Sequence, residues 1–268
     1  MSTRKKHPGL PGPKTLDLVD LVLYLLDARI PRTSLQISEP YLLKKKRVYV
    51  LTKPDLADPG ITQEWVDWFR SGGMPCFAVE SNSGKGLPAI MGFIKETKAE
   101  IDRRIDSKVI VRPIKTMLFG LPNVGKSSLA NRLLGTSKAP FGARPGLTRG
   151  SHWLRGRGLL EVLDTPGVID TSKAKGDTLH KLAATWAVRE NQYDEGEVAF
   201  WLAREVFKQA DPASHIIAFG SSRRLIGPGG GVDLNRACRA FIQSFRDGKI
   251  GRVSIEKPGN SQAHLAYR

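Results

Sequence analysis

The sequence predicts an α/β fold: a mostly parallel sheet with helices on both faces, followed by a small all-α region. Three observations predict it. Short apolar runs at 19–26, 48–51, 76–79, 114–119 and 159–163 each end in a polar or glycine-rich loop, as parallel strands buried on both faces do. The stretches between them read as helices, and strands alternating with helices imply crossover connections, with any ligand at the carboxyl ends of the strands. Beyond the polar stretch 170–176, the apolar residues recur at helical spacing instead.

In chain order, the strand at 19–26 is followed by a helix and by the strand at 48–51, which runs into Thr52-Lys53-Pro54-Asp55. A helix from Thr62, the strand at 76–79 and the loop Ser81-Asn82-Ser83-Gly84 come next, then a long helix from Leu87 to about Ile105 and a charged connector. Pro113 precedes the strand at 114–119, and Ser128 to Leu134 reads as the helix after the glycine-rich loop that follows it. Arg144-Pro145-Gly146-Leu147-Thr148 falls in a loop between helix and strand, and the strand at 159–163 ends in Asp164-Thr165-Pro166-Gly167. Residues 170–176 read as switch and linker. A helix is expected over 197–210, stopped by Asp211-Pro212, and another from the N-cap Asp233 to about Arg246, stopped by Gly248.

Gly120-Leu121-Pro122-Asn123-Val124-Gly125-Lys126-Ser127 fits the G-x-x-x-x-G-K-[ST] phosphate-loop pattern, in the strand-to-helix context that the pattern requires. Backbone N–H groups there, Val124, Gly125, Lys126, Ser127 and Ser128 among them, and the positive end of the helix dipole suit phosphates. Lys126 is expected to reach the β and γ oxygens, and the Ser127 hydroxyl to ligate Mg²⁺. Asp164 would hold Mg²⁺ through water, Thr148 would complete its shell, and the Gly167 N–H would meet the γ-phosphate. Thr148 taken alone also reads as a turn residue after Pro-Gly.

Thr52-Lys53-Pro54-Asp55 reads as a guanine reader. A carboxylate at Asp55 accepts hydrogen bonds from the guanine N1–H and 2-amino group, which adenine cannot offer, while the Lys53 stem covers the ring. Thr52 stands where asparagine is usual. Ser81, Asn82 and Ser83 are the candidate second base-contacting loop, although such clusters are often plain turns. The base reader precedes the phosphate loop, the reverse of the order in most GTPases, so the chain reads as a circularly permuted P-loop GTPase domain at 1–172. Its base-reading half is 1–107, its phosphate-loop half 108–172, and a helical RNA-binding domain is expected at 173–268.

Asp27-Ala28-Arg29 closing an apolar strand, then Thr-Lys-Pro-Asp, Gly-Leu-Pro-Asn-Val-Gly-Lys-Ser-Ser-Leu, Arg-Pro-Gly-Leu-Thr and Asp-Thr-Pro-Gly, resemble the bacterial ribosome biogenesis GTPase A family. This is the YlqF/RbgA type, with a mitochondrial large-subunit assembly relative. Gly229-Gly230-Gly231-Val232-Asp233 and Phe245-Arg246-Asp247-Gly248-Lys249-Ile250-Gly251-Arg252 resemble its C-terminal helical region, so the likeness covers nearly the whole chain. It implies a GTP-hydrolysing assembly factor for the large (50S) ribosomal subunit that binds rRNA in a GTP-dependent manner, with turnover stimulated by the ribosomal particle. It also implies a K⁺ ion held partly by Asn123, whose alternative role is to bond within its own loop. Lys126, Thr148, Gly167 and Asn123 are the candidate catalytic residues. The family's catalytic histidine is not matched by His7, which reads as a tail residue. Val168 occupies the place of the water-orienting glutamine of Ras-like enzymes and cannot bond water, so slow intrinsic hydrolysis is expected. Rival readings are a GTPase of the small subunit and a GTP-sensing RNA-binding scaffold with little hydrolysis.

A formal charge of +16 over 268 residues attracts nucleic acid or anionic membrane. No apolar run approaches the ~18 residues of a bilayer span, and Met1-Ser2-Thr3-Arg4-Lys5-Lys6 leads into Pro/Gly rather than a signal core, so no membrane partner and a cytoplasmic location are expected. Cys76 and Cys238 read as small core residues, and no zinc-type cluster is present in the pattern. In the last helix Arg236, Arg239, Gln243 and Arg246 form one face, a candidate for rRNA or simply solvated. Lys44, Lys45, Lys46 and Arg47 either touch rRNA phosphates or complement a helix C-terminus. Arg155, Arg157, Arg223, Arg224, Lys249 and Arg252 are further candidates, whereas Trp186 and Trp201 read as core. A monomer is expected. Because the permuted GTPase chain ends just after its γ-phosphate sensor, nucleotide state is expected to reorient the helical domain tethered there.

Overall fold

A computed structural model describes residues 16–35, 45–104, 112–135, 152–155, 160–165 and 174–259. Strand β1 (Leu21–Asp27) leads to helix α1 (Pro31–Leu35), then β2 (Lys46–Thr52), α2 (Pro59–Ser71), β3 (Cys76–Val79) and α3 (Leu87–Arg104). The second half brings β4 (Ile114–Gly120), α4 (Lys126–Leu134), β5 (His152–Arg155) and β6 (Leu160–Asp164). They form one six-stranded sheet in the order β3-β2-β1-β4-β6-β5, parallel except for β5. The expected α/β architecture is therefore present.

Every residue of β1 is buried, because β1 lies mid-sheet with layers on both faces. Its side chains alternate strictly: Leu21, Leu23 and Leu25 enter one core, and Val22, Tyr24 and Leu26 enter the other. Trp65, Val66 and Phe69 of α2 close the second core. That helix starts as the chemistry dictates, with the Asp58 side chain accepting the Ile61 N–H and Pro59 in the first turn. Trp65 is fully buried and its Nε1–H meets the Glu256 carbonyl at 3.0 Å; truncation to alanine would cost about 3–5 kcal/mol. On the opposite face Ile90 and Ile94 of α3 and Leu129 and Leu133 of α4 belong to a core that continues without a break into the C-terminal helices.

Those helices are α5 (Gly176–Ala184), α6 (Glu195–Trp201), α7 (Pro212–Ser222) and α8 (Leu234–Arg246). Asp233 caps α8 by accepting the Arg236 N–H, as its sequence indicates. The helix expected over 197–210 differs. It begins after the N-cap Asp194, is α-helical only to Trp201, and widens into a π-helical turn at Leu202–Val206. Asp211 and Pro212 do not stop it; they start α7, where Asp211 accepts the Ser214 N–H, since an Asp-Pro pair suits a helix start equally well. Strand β5 is a second difference. Its four residues are too few to show a periodicity, and it exists by antiparallel pairing with β6 at the sheet edge.

After α8 the chain returns across the base-reading half. The N–H groups of Ile255 and Glu256 donate to the Arg29 carbonyl at 2.9 and 3.1 Å, Val253 N–H donates to the Leu56 carbonyl at 3.1 Å, and Arg252 reaches the carbonyls of Pro54 and Ala57. Glu256, almost buried, accepts from the Thr33 N–H and hydroxyl and lies 3.3 Å from Lys181. Both cysteines are free and buried. Among the described residues, no helix is long and apolar enough to cross a membrane, and no cluster of three His, Cys, Asp or Glu could hold a metal ion.

Candidate nucleotide-binding site

The strand order reverses between β1 and β4: β2 and β3 continue to one side, β6 and β5 to the other. Loops leaving the carboxyl ends of neighbouring strands at such a point diverge and leave a crevice. A cleft of about 540 Å³ lies there. Thr52, Lys53, Asp55 and Leu56 line it from the loop after β2, Ser81 and Asn82 from the loop after β3, and Val124, Gly125 and Ser128 from the loop and helix after β4. The two expected halves of a nucleotide site, far apart in the chain, thus face a single cleft.

The phosphate loop is held by backbone geometry. A Cβ at Gly120 would come within 2.5 Å of the Leu25 carbonyl oxygen, so only glycine lets β4 turn there. Asn123 adopts φ 55, and Gly125, at φ 105, precedes the first turn of α4. Lys126 is nearly buried, its ammonium donating to the Gly120 and Leu121 carbonyls at 3.1 and 2.7 Å. Ser127 stands in the first turn of α4. Asn123 Nδ2 donates to the Trp186 carbonyl at 2.7 Å, a bond to the helical region that the sequence did not disclose.

In the base reader the Thr52 hydroxyl is buried and donates to the Leu26 carbonyl at 3.1 Å, so it clips β2 to β1 and is turned into the sheet. Lys53 sits at φ 54 with its ammonium 3.2 Å from Asp27 Oδ2. Arg132 of α4 donates to the Ser81 and Asn82 carbonyls, which fixes the second loop against the phosphate-loop half. Ser83 is exposed, its hydroxyl accepts the Lys85 N–H, and it does not line the cleft with its two neighbours. Gly86 returns this loop to β3; a Cβ there would lie 2.0 Å from the Ala78 carbonyl oxygen.

Thr148 and Gly167 lie outside the described residues, as do Lys44, His7, Val168 and Arg157. Asp164 ends β6 as expected, its side chain also lying outside the description. Beside it Thr165 is buried and its hydroxyl donates to the Leu118 carbonyl at 2.6 Å, which locks that strand end to β4.

Sequence reasoning missed the third wall of the cleft, which Arg246, Asp247 and Lys249 supply from the end of α8. Arg246 corrects the expected basic face. It is 8% exposed, donates to the Ala183 carbonyl and the Tyr193 hydroxyl at 2.7 and 2.8 Å, and its guanidinium lies 5.0 Å from the Trp186 ring centroid. Four residues after the buried Ile242, it falls on the edge of the core stripe, and a guanidinium tolerates that place when carbonyls and a ring meet it. The signal was available in that spacing. Arg239 is exposed but bound bidentately to Glu195, and Arg236 is exposed with one long bond to the Ile226 carbonyl.

Lys45, Lys46 and Arg47 open β2 at its amino end, away from the cleft. Lys46 pairs with Glu100, Arg47 donates to the Tyr49 hydroxyl, and Lys45 reaches the Asp17 carbonyl. These contacts leave both expected roles of the run, rRNA phosphates or a helix C-terminus, as they stood, with Lys44 and the residues just before it outside the described residues. Trp201 is buried in the core with its Nε1–H on Asp177, whereas Trp186 is half-buried, its ring met by the Arg246 guanidinium.

Residues 115–212 match the family described as 50S ribosome-binding GTPase. Ribosome biogenesis GTPase A of Priestia megaterium is 34% identical over 269 residues, covering 93% of each chain. The protein of that name from Thermotoga maritima is 28% identical, covering 91% of this chain and 88% of its own. The GDP-bound structure of TM YlqF superposes with a TM-score of 0.67 at 24% identity over 91% of this chain and 97% of that one, and GNP-bound YlqF from T. maritima gives 0.66. At that identity the superposition speaks for the fold, and the sequence relatives speak for the kinship. The chain belongs to the ribosome biogenesis GTPase A family and is a GTP-hydrolysing enzyme.

Proposed function

We propose that this GTPase is an assembly factor for the large (50S) ribosomal subunit, that it binds rRNA in the GTP state, and that the particle stimulates its turnover. The observation that carries the reading is the shared cleft: a base reader, a phosphate loop and the end of the helical region's last helix all line it. In this reading nucleotide and helical region share that cleft. The relatives' name, ribosome biogenesis GTPase A, supplies the process, and the 50S subunit is named in the matching family's description.

In this reading Asp55 pairs with the guanine N1–H and 2-amino group, Lys53 covers the ring, and Ser81 and Asn82 close its edge. Loop N–H groups from Val124 to Ser128 take the phosphates, and Lys126 exchanges its two carbonyl bonds for β and γ oxygens. A hydroxyl at the first turn of α4 suits a hard cation, so Ser127, with Thr148 and Asp164 through water, would hold Mg²⁺. Asn123, whose Nδ2 donates to the Trp186 carbonyl, carries an amide oxygen of the kind that suits K⁺, and in this reading it would help to hold that ion. Such ions would neutralise charge developing on the phosphates, and the Gly167 N–H would add a donor there. With Val168 unable to orient water, hydrolysis waits for the particle. The GTPase domain is assigned to 1–172 and the helical domain to 173–268, acting in the cytoplasm as a monomer.

For rRNA the structure redirects attention within the helical domain. Arg223 and Arg224, after α7, are exposed and, with Arg236, have no carboxylate within ion-pair distance among the described residues. They support phosphate contacts better than Arg239 or Arg246 do. GTPase assays with separated subunits test the proposal. Stimulation by large subunits and not by small ones is the expected result; stimulation by small subunits alone, or by neither, would overturn it.

A further inference from the structure

Asp27 ends β1 level with Thr52 of the neighbouring strand, at the edge of the cleft. Its carboxylate is 2% exposed and holds two cations at once. Oδ1 accepts from the Arg29 N–H and Nε at 3.1 and 2.9 Å; Oδ2 accepts from Arg29 Nη2 at 2.8 Å and from Lys53 Nζ at 3.2 Å. One of these cations lines the cleft; the other belongs to an interface. Arg29 is 1% exposed, and its guanidinium lies 5.3 Å from the ring centroid of Phe245, the residue before the cleft-lining Arg246. Arg29 Nη1 has no hydrogen-bond partner among the described residues, so beyond Asp27 the ring of Phe245 is what meets this charge. The Arg29 carbonyl, in turn, accepts both N–H groups from Ile255 and Glu256.

Burial by itself would raise the Asp27 carboxyl, but the charges of Arg29 and Lys53 and the Arg29 hydrogen bonds outweigh it and hold the group well below the usual carboxylate range. The Asp27 carboxyl therefore stays ionised at any pH where the protein works, while burial pulls the Lys53 ammonium below the usual lysine range and the charge of Asp27 opposes that fall. A buried charge set is sensitive to its cover: moving Phe245 or the tail off Arg29 admits water to one cation, and the shared carboxylate then holds the other less firmly. Lys53 needs that hold, because its backbone occupies the left-handed region at φ 54, which a lysine adopts only where its surroundings enforce it.

We propose that Asp27 and Arg29 form a positioning joint through which the helical region sets the grip of Lys53 on guanine, so that guanine-nucleotide binding and docking of residues 253–256 on Arg29 stabilise each other. The proposal rests on the guanine reading of the cleft. Coupling of this kind is reciprocal, so each event must report on the other.

The test uses the full chain. Asp27→Asn alone leaves Arg29 as a buried charge without a counterion and reports on folding as much as on position. Asp27→Asn combined with Arg29→Gln removes both charges and leaves a polar pair. With wild-type circular dichroism, this double variant is expected to show a Kd for GDP and a KM for GTP raised about tenfold, while kcat at saturation changes by less than about twofold. A folded double variant with unchanged Kd and KM overturns the joint. Should it not fold, the wild type decides through amide exchange at Ile255 and Glu256. GDP is expected to slow that exchange about tenfold beyond what pyrophosphate achieves, since pyrophosphate fills only the phosphate loop. Equal protection by the two ligands, or none, overturns the joint. Failure of the guanine reading looks different: the wild type would bind ADP as tightly as GDP, and the joint would fall with it.

Discussion

The helical region meets the two halves of the nucleotide site in different ways. To the base-reading half it is bound through main chain, with Ile255 and Glu256 on Arg29 and Val253 on Leu56, and through the nearly buried Glu256 and Trp65. To the phosphate loop it offers the Trp186 carbonyl, taken by a side-chain amide, Asn123 Nδ2. Main-chain bonds backed by buried side chains resist local opening, whereas a side-chain bond exchanges more readily for a ligand. The contrast teaches that the helical region is anchored by main chain on the half that carries Thr52 to Asp55 and meets the loop 120–127 by a side-chain amide. Beside the tether expected after Gly167, the helical region reaches the cleft itself through Arg246, Asp247 and Lys249.

The comparison breaks most completely at Lys126. Lys126→Ala removes the charge at the phosphates and should lower kcat/KM for GTP by roughly 10²–10³-fold, measured by phosphate release with large subunits present. Wild-type turnover in that variant would mean that the phosphate-loop half does not bind the phosphates. Asp55→Asn follows on the other side. GTP affinity should fall on the order of 10²-fold and xanthosine-nucleotide affinity should rise, because an amide suits a 2-oxo group where a carboxylate suits an amine. Equal GTP affinity, by titration calorimetry, would remove Asp55 from the base.

Asn123→Ala sharpens the contrast, since it touches both the proposed ion and the Trp186 contact. Particle-stimulated hydrolysis should be faster in KCl than in NaCl for the wild type, and the variant should lose that difference, with a fall of about tenfold in KCl. A wild type indifferent to the cation would return Asn123 to a purely structural bond with Trp186. The smallest effect concerns the outer surface. Arg223→Glu with Arg224→Glu should flatten the salt dependence of large-subunit binding by about 0.7 to 0.9 in log–log slope per lost phosphate contact, more than Arg236→Glu with Arg239→Glu does. Nucleotide affinity should stay the same in both. If the second pair has the larger effect, Glu195 does not neutralise Arg239 on the particle.

Strands 19–26, 48–51, 76–79 and 114–119 were legible because buried parallel strands are continuous apolar runs, and each observed strand lies within a residue or two of its run. The caps Asp58 and Asp233 act through local hydrogen bonds that need no tertiary context, and Asp233 was read correctly for that reason. Strand β5 was not legible, since a short edge strand is defined by its partner. Arg246 was misplaced because a charged residue at the rim of an apolar stripe is assigned to solvent unless its acceptors are known, and these come from Ala183 and Tyr193, more than fifty residues away.

What the sequence determined by itself is whatever depends on neighbours in the chain: the phosphate-loop pattern between strand and helix, the Thr-Lys-Pro-Asp reader at a strand end, their inverted order, and hence the permuted fold. What only the tertiary structure decided is which distant groups share a charge or a cleft. Asp27 holds Lys53 because β1 and β2 are paired in register, Arg29 meets Phe245 because α8 packs over that strand end, and Lys249 enters the cleft because Gly248 turns the chain there at φ 71. Periodicity and local hydrogen bonding are written at short range, but ion pairs and cleft walls form between segments whose approach is set by the packing of the whole core.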